Sequence, residues 1–346
     1  MPSGFQHQPR CNRLPLAQPN PSAKQTASMT NQERHPAKAQ SKEEIEVEIF
    51  DGVRHADGNP VEPVRLQADD SFCFSCHKSI SCWNSCCHNP DVTLTPADIL
   101  MLSEELGLQP SEFLVQYTVP AIWEKPDMPV AKLRSDEASR GACVFLAGDE
   151  GCGVYAARPV TCRYYPMGLA SIKMMGSTKK QDFHFLVRET HCKGHEEDKR
   201  QTVKEYRVQQ GVEALDEINR SWIDIMMKMV SWRSVGGPNA KPVSQQAKKM
   251  FFMVSTDVNA LRRFVFETKF LDIYAIDPET IEDLKTNDIV LLQLGFDWLK
   301  NVLFNEQTIN MKQNVLQAAI ARRRSDMLGR KTNAQEEGKC RTNHSS

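Results

Sequence analysis

The sequence predicts a mainly α-helical protein, in which an irregular, metal-stabilised cysteine-cluster domain with few or no strands precedes a helical C-terminal region. Two observations favour this class. Nine of the eleven cysteines lie between residues 73 and 192, and apolar residues spaced three and four apart, the helical period, then replace cysteine. These changes divide the chain into a disordered N-terminal segment 1–45, a cysteine-cluster metal-binding domain 46–200, a helical region 201–324 and a disordered C-terminal tail 325–346.

Composition and charge restrict the class of protein. The chain has 346 residues, is 40% hydrophobic and 25% charged, and carries a net charge of −1, values typical of a soluble globular protein. The near-zero charge argues against a general attraction to nucleic acid or to an anionic membrane. No apolar run approaches the ~20 residues of a membrane-spanning helix, and the N-terminus lacks the apolar stretch of a secretory signal. We therefore expect a cytoplasmic protein with neither nucleic acid nor membrane as a partner.

The clearest helix lies between the two groups of cysteines, in LTPADILMLSEELGL. Thr95 is the expected N-cap, Pro96 occupies the first helical position, and Gly107 suits the C-terminal end. A second short helix is expected to begin after a cap at Ser111. Both helices would fold the chain back so that the cysteine groups meet. The apolar face of the first helix comprises three residues: Ile99, Leu102 and Leu106.

Longer helices are predicted after the last clustered cysteine. Asp257 is expected to cap one of them, and Asp277 before Pro278 to begin the next. The Met-rich stretch IDIMMKMV belongs to an earlier helix, where its spacing favours core packing over a soft-metal or promiscuous binding surface. One apolar face runs along that earlier helix: Leu215, Ile218, Trp222, Ile225, Met229 and Trp232.

The clustered cysteines are the strongest functional signal. In a reducing compartment, clustered thiols are more often metal ligands or redox groups than disulfides. With Cys73 set aside, eight remain in this stretch, which is the number that two four-cysteine sites for zinc or iron–sulfur clusters require. The predicted ligands are a first group and a second group, followed by one later residue: Cys76, Cys82, Cys86 and Cys87; Cys143, Cys152 and Cys162; and Cys192.

Two of these cysteines, Cys86 and Cys87, are adjacent. Their Cα atoms are ~3.8 Å apart and their side chains diverge, so one small ion could be chelated by both only with strain. Two neighbouring metal sites, each with one of the two thiols as a ligand, would remove this strain. A single iron–sulfur cluster could also take one thiol and leave the other reactive or bridging. The plainer alternative is that Cys87 is a small buried residue.

Other side chains near the cysteines have supporting roles in this interpretation. Four thiolates around Zn²⁺ or a [4Fe–4S]²⁺ core leave a charge of about −2. Arg158 and Arg163 are predicted to offset this charge from behind the ligands, the alternative being surface solubility. Four histidines are expected to be structural or to donate to ligands rather than to bind metal: His77, His88, His191 and His195.

No familiar catalytic motif accompanies the cysteines. The sequence contains no P-loop lysine motif, no G-x-G-x-x-G after a strand, no HExxH and no G-x-S-x-G. The C-x3-C-x2-C spacing of radical enzymes is absent too. Catalytic residues are therefore unknown, and any cofactor chemistry would come from a cysteine-bound metal.

The ordered stretches SCHKSISCWNSCCHNPDVTLTPADILMLSEELGL and CVFLAGDEGCGVYAARPVTCRYYP resemble the YkgJ-like cysteine-cluster family, zinc- or iron-chelating domains of the CxxCxxCC type. The resemblance covers roughly residues 70–200 and includes Cys192 in ETHCKGH, although the interval from Cys76 to Cys82 is wider than in the short form of the motif. It implies bound zinc or an iron–sulfur cluster. Flagellin lysine-N-methylases carry a similar domain, which implies cluster-assisted methyl transfer as an enzymatic alternative.

The sequence thus favours a metal-binding protein with one or two Cys-ligated centres and a redox role. An iron–sulfur cluster is slightly favoured over zinc, because the ligand set is all sulfur and has a surplus thiol. One alternative is an enzyme, either a lysine methylase or an iron–sulfur oxidoreductase, which would need an open metal position or a cofactor pocket. The other is a metal-stapled interaction module whose helical half binds a protein partner through an apolar groove.

Overall fold

The computed structural model describes residues 64–124, 127–173, 180–234, 242–318 and 320–321. The segments predicted to be disordered, 1–45 and 325–346, lie outside the described residues. The described chain forms two compact units. The cysteine unit consists of the described residues within 64–92 and 133–213, and the helical unit of those within 93–132 and from 214 onwards. The predicted domain limits stay a prediction.

Strands and helices are numbered along the described chain. The strands are β1 Val64–Leu66, β2 Ser71–Cys73, β3 Thr118–Trp123, β4 Met128–Leu133, β5 Ser135–Asp136, β6 Ala142–Cys143, β7 Met167–Lys173, β8 Lys180–Leu186 and β9 Arg200–Thr202. The helices include α1 Pro96–Glu105, α2 Pro110–Tyr117, α3 Val160–Tyr164, α4 Val203–Gln210, α5 Glu213–Ser234, α6 Gln245–Thr256, α7 Val258–Glu267, α8 Phe270–Ile273, α9 Pro278–Asp283 and α10 Asp288–Phe304. The predicted mainly α class is confirmed, because helices dominate and the strands form only small groups.

Antiparallel strands organise the cysteine unit. β8 lies between β1 and β7 in a three-stranded sheet, β2 pairs with β9, and β5 pairs with β6. This unit therefore contains more strand than the few or none that the sequence predicts. The reason is length: β1, β2, β5, β6 and β9 have three residues or fewer. Such strands are too short to show the apolar–polar alternation by which a strand is identified.

An apolar core supports the cysteine unit. Phe74 is buried and makes edge-on contacts with Tyr165 and Tyr206, at centroid distances of 6.4 and 6.2 Å. Cys192 packs against the same core, so apolar packing anchors one predicted ligand. The buried members of this core are Leu66, Phe72, Phe74, Tyr164, Met167, Leu186, Val203, Tyr206 and Val212.

The helix ends of the helical unit follow the predicted signals closely. At the start of α1, the Thr95 hydroxyl accepts from the Asp98 N–H at 3.2 Å, and the Asp98 carboxylate accepts from the Thr95 N–H at 2.9 Å. Gly107 ends this helix with a φ of +64°. The side chains of Asp257 and Asp277 each accept from the N–H three residues further on, at 2.9 and 2.8 Å. These four predictions are confirmed.

The start of α2 corrects one prediction. The helix begins at Pro110, so the predicted cap at Ser111 is wrong. Gln109 is the N-cap, and its N–H donates to the Glu112 carboxylate at 2.9 Å. Proline at the first helical position costs no hydrogen bond, because an N–H there has no partner within the helix.

Helices α5, α6, α7 and α10 contribute to the core of the helical unit. Trp222 on α5 packs on Phe251 of α6, with ring centroids 4.8 Å apart. Met226 and Met229, from the Met-rich stretch, are buried here, which agrees with the predicted core role of that stretch. Within the described residues, no helix combines the length and apolarity needed to cross a membrane.

Candidate metal centre

The cysteine unit concentrates reduced thiols. Cys73, which the sequence interpretation sets aside, is disulfide-bonded. The reduced thiols range from half-buried to exposed, so a metal ion could reach several of them from solvent. They are the eight residues predicted as ligands: Cys76, Cys82, Cys86, Cys87, Cys143, Cys152, Cys162 and Cys192.

Cys86 and Cys87, at the end of the first cysteine group, lie on a tight turn. Hydrogen bonds connect this turn to the loop between Cys143 and Cys152 of the second group. The 3-10 turn Ser85–Cys87 is entered through Asn84, which has the left-handed φ of 66°. The Asn84 side-chain amide donates to the Gly148 carbonyl at 2.9 Å, and the indole N–H of Trp83 donates to the Asp149 carbonyl at 3.0 Å. These bonds cross between distant parts of the sequence and hold the two loops together.

Glycine is required where these loops touch. The Asn89 N–H donates to the Gly141 carbonyl at 2.7 Å, and Gly141 has a φ of +74°. A Cβ on Gly141 would lie 1.8 Å from Oδ1 of Asn89, and a Cβ on Gly151 would lie 2.9 Å from the ring of Trp83. These two glycines therefore let the backbone turn tightly beside the cysteines.

A second connection brings the last cysteine to the first group. The backbone N–H of Lys193 donates to Sγ of Cys82 at 3.1 Å. Nearby, the Ser75 N–H donates to the Gly194 carbonyl at 3.1 Å. The loop that carries Cys192 is therefore fixed to both sides of Cys76.

The thiols are close enough to influence one another electrostatically. Burial, and then repulsion from three neighbouring thiols, raises the pKa of Cys76 to about 11. Those neighbours are Cys86, Cys82 and Cys192. Charging one of these sulfurs therefore makes it harder to charge the next.

Cys86 is the common neighbour of thiols from both groups. Burial is the main reason that the pKa values of Cys143, Cys152 and Cys192 are raised, and repulsion from Cys86 adds to each. The pKa of Cys86 itself is raised first by a hydrogen bond with Cys87 and next by burial. A metal cation in their midst would reverse this balance, because it stabilises thiolates.

A tyrosine and a carboxylate that the sequence interpretation did not select adjoin Cys192. The Tyr165 hydroxyl donates to Oε2 of Glu189 at 2.8 Å and lies close to the thiol of Cys192. Nε2 of His191 lies 3.4 Å from the same carboxylate oxygen. Burial, followed by the interaction with the nearby thiol of Cys192, raises the pKa of Tyr165 well above its ordinary value. The only sequence signal for Tyr165 was its place in the CRYYP stretch.

The two predicted arginines stabilise the loop around the second group. Arg158 opposes, through its positive charge, the rise that burial causes in the pKa of Cys152. Arg163 is buried, which excludes its alternative role in surface solubility. The predicted function of both arginines, to balance the charge of a metal centre, stays a prediction. The guanidinium of Arg163 donates to three backbone carbonyls, those of Arg158, Gln210 and Ala156.

The histidines near the cysteines each have a partner within the protein. Because a metal-ligating histidine usually has such a partner on its other ring nitrogen, the predicted structural role of these histidines stays a prediction. The pairs are His77 with the Glu197 carboxylate at 3.2 Å, His88 with the Asn84 carbonyl at 3.1 Å, His191 with Glu189 at 3.4 Å, and His195 with the Val187 carbonyl at 3.1 Å.

The thiols lie near one another, but they do not form a complete set of metal ligands. Among the described residues, no group of three or more Cys, His, Asp or Glu side chains is arranged so that it could hold a metal ion. The donor chemistry fits zinc or an iron–sulfur cluster, since both take thiolates. Cys162 is exposed on α3, and its place in the ligand set stays a prediction.

Comparisons with known proteins agree with the chemistry of the thiols. Neither a search of curated proteins nor a search of solved structures finds a match. A comparison with family models matches the region from just before Cys76 to just after Cys192, and it confirms the resemblance to a zinc- or iron-chelating domain. Residues 75–193 match the family model CxxCxxCC, described as "Putative zinc- or iron-chelating domain".

Proposed function

We propose that the cysteine unit binds metal through one or two Cys-ligated centres, with an iron–sulfur cluster favoured over zinc and a redox role for the bound cluster. The iron–sulfur preference follows from the all-sulfur donor set and its surplus thiol at the Cys86–Cys87 pair. A bound cluster would supply one-electron transfer, whereas bound zinc would act as a structural staple. The proposed ligands are Cys76, Cys82, Cys86, Cys87, Cys143, Cys152, Cys162 and Cys192.

The convergence of separate chain segments on Cys86 is the observation that carries this proposal. The loop that carries Cys86 is bound to Gly148 and Asp149 through side-chain hydrogen bonds. The loop that carries Cys192 is bound to Cys82 through a backbone N–H. Reduced thiols on so many segments of one unit are unusual for a purely structural core, because structural cysteines are mostly buried and inert.

The first test is the metal content of the full chain purified without oxygen. We expect iron and acid-labile sulfide in stoichiometric amounts, with a brown colour and absorbance near ~400 nm. Zinc without sulfide would support metal binding but contradict the iron–sulfur preference and the redox role. A chain that contains neither iron nor zinc, and that takes up neither when supplied under reducing conditions, would contradict the proposal.

Two serine variants test the ligand assignment, and a third serves as their control. Cys86→Ser and Cys162→Ser should each lower the metal content and the melting temperature, because metal binding and folding are coupled. Cys73→Ser changes the same residue type in the same unit, but at a cysteine that is disulfide-bonded rather than reduced. It should keep the wild-type metal content. Unchanged metal content in the first two variants would remove those residues from the ligand set.

A further inference from the structure

We draw no further inference here: the strongest candidate, the surface patch of exposed apolar side chains of Val115, Val119, Ile122 and Trp123 at the end of α2 and along β3, carries no proposal because nothing in the structure shows what covers it.

Discussion

The backbone N–H of Lys193 donates a hydrogen bond to Sγ of Cys82 over 3.1 Å, although the two residues are 111 positions apart. The donor is a main-chain group, so the bond depends on the path of the backbone rather than on the lysine side chain. A backbone N–H directed at sulfur is a frequent means of stabilising a ligated thiolate. The contact thus ties the loop that carries Cys192 to the first cysteine group.

Lys193→Pro should weaken the cysteine unit because it removes this N–H. Lys193 is the first residue of the 3-10 helix Lys193–Glu196, and Cys192 before it is extended (ψ 110°), so proline fits the backbone on both sides. We expect the free energy of unfolding to fall by about 1–2 kcal/mol, as measured by urea denaturation. Lys193→Ala keeps the N–H and loses only an exposed ion pair with Glu196, so it should be close to neutral. Equal stability of the two variants would show that the bond to Cys82 contributes nothing.

Gly141→Ala should strain the contact between the two cysteine groups. The φ of +74° costs an alanine about 1–2 kcal/mol, and the new Cβ would also displace the side chain of Asn89. Gly148→Ala is the control, since Gly148 also has a positive φ, +56°, but a methyl group there would meet no other part of the described chain within 4 Å. Thermal denaturation should therefore rank Gly141→Ala below Gly148→Ala. If both variants lose the same stability, the packing against Asn89 is irrelevant and only the backbone conformation matters.

Helix ends and thiol chemistry were the features that the sequence could predict. Thr95, Asp257 and Asp277 act through hydrogen bonds three residues away, so a short stretch of sequence contains all the information needed. The eight reduced cysteines could likewise be recognised as one group, because they are of a single residue type and lie close together in the sequence. The predicted cap at Ser111 is wrong because Pro110 already occupies the first helical position, which makes Gln109 the cap.

Contacts between distant segments could not be predicted in the same way. The hydrogen bond from Lys193 to Cys82 uses a backbone donor that every residue except proline possesses. Tyr165 lies beside Cys192 because β7 and β8 reverse the chain between them, and nothing in the local sequence specifies that pairing. Three of the short strands share this difficulty, since β1 pairs with β8 and β2 with β9, far along the chain.

Replacing Arg163 distinguishes the effect of its positive charge from that of its hydrogen-bond geometry near the second cysteine group. Its guanidinium is buried and donates to carbonyls of Arg158, Gln210 and Ala156. An ammonium group cannot reproduce this planar set of donors. Arg163→Lys should therefore destabilise the metal-free chain by about 2–4 kcal/mol, nearly as much as Arg163→Met. If Arg163→Lys is as stable as the wild type and keeps its metal affinity, positive charge is the property that matters.

His195 should make the stability of the cysteine unit depend on pH. Burial, and then the positive charge of Arg188, lowers the pKa of His195 from 6.5 to about 4. Nε2 bonds the Val187 carbonyl at 3.1 Å, and Nδ1 is buried without a hydrogen-bond partner among the described residues. A proton added at Nδ1 would therefore be buried unpaired. Well above pH 6.5 the imidazole is neutral in both the folded and unfolded chains, so it adds no pH dependence there.

As the pH falls from 6.5 towards 4, the unfolded chain binds a proton at His195 that the folded chain resists. The free energy of unfolding of the metal-free chain should therefore decrease across this window and lose no more from this group below it. His195→Gln keeps a donor for the Val187 carbonyl but cannot ionise, so its decrease should be smaller. The measurement is urea denaturation of both chains at several pH values between 4 and 7.5. Because the other histidines are common to both, the difference between the two profiles reports His195, and parallel profiles would show that its pKa is not lowered.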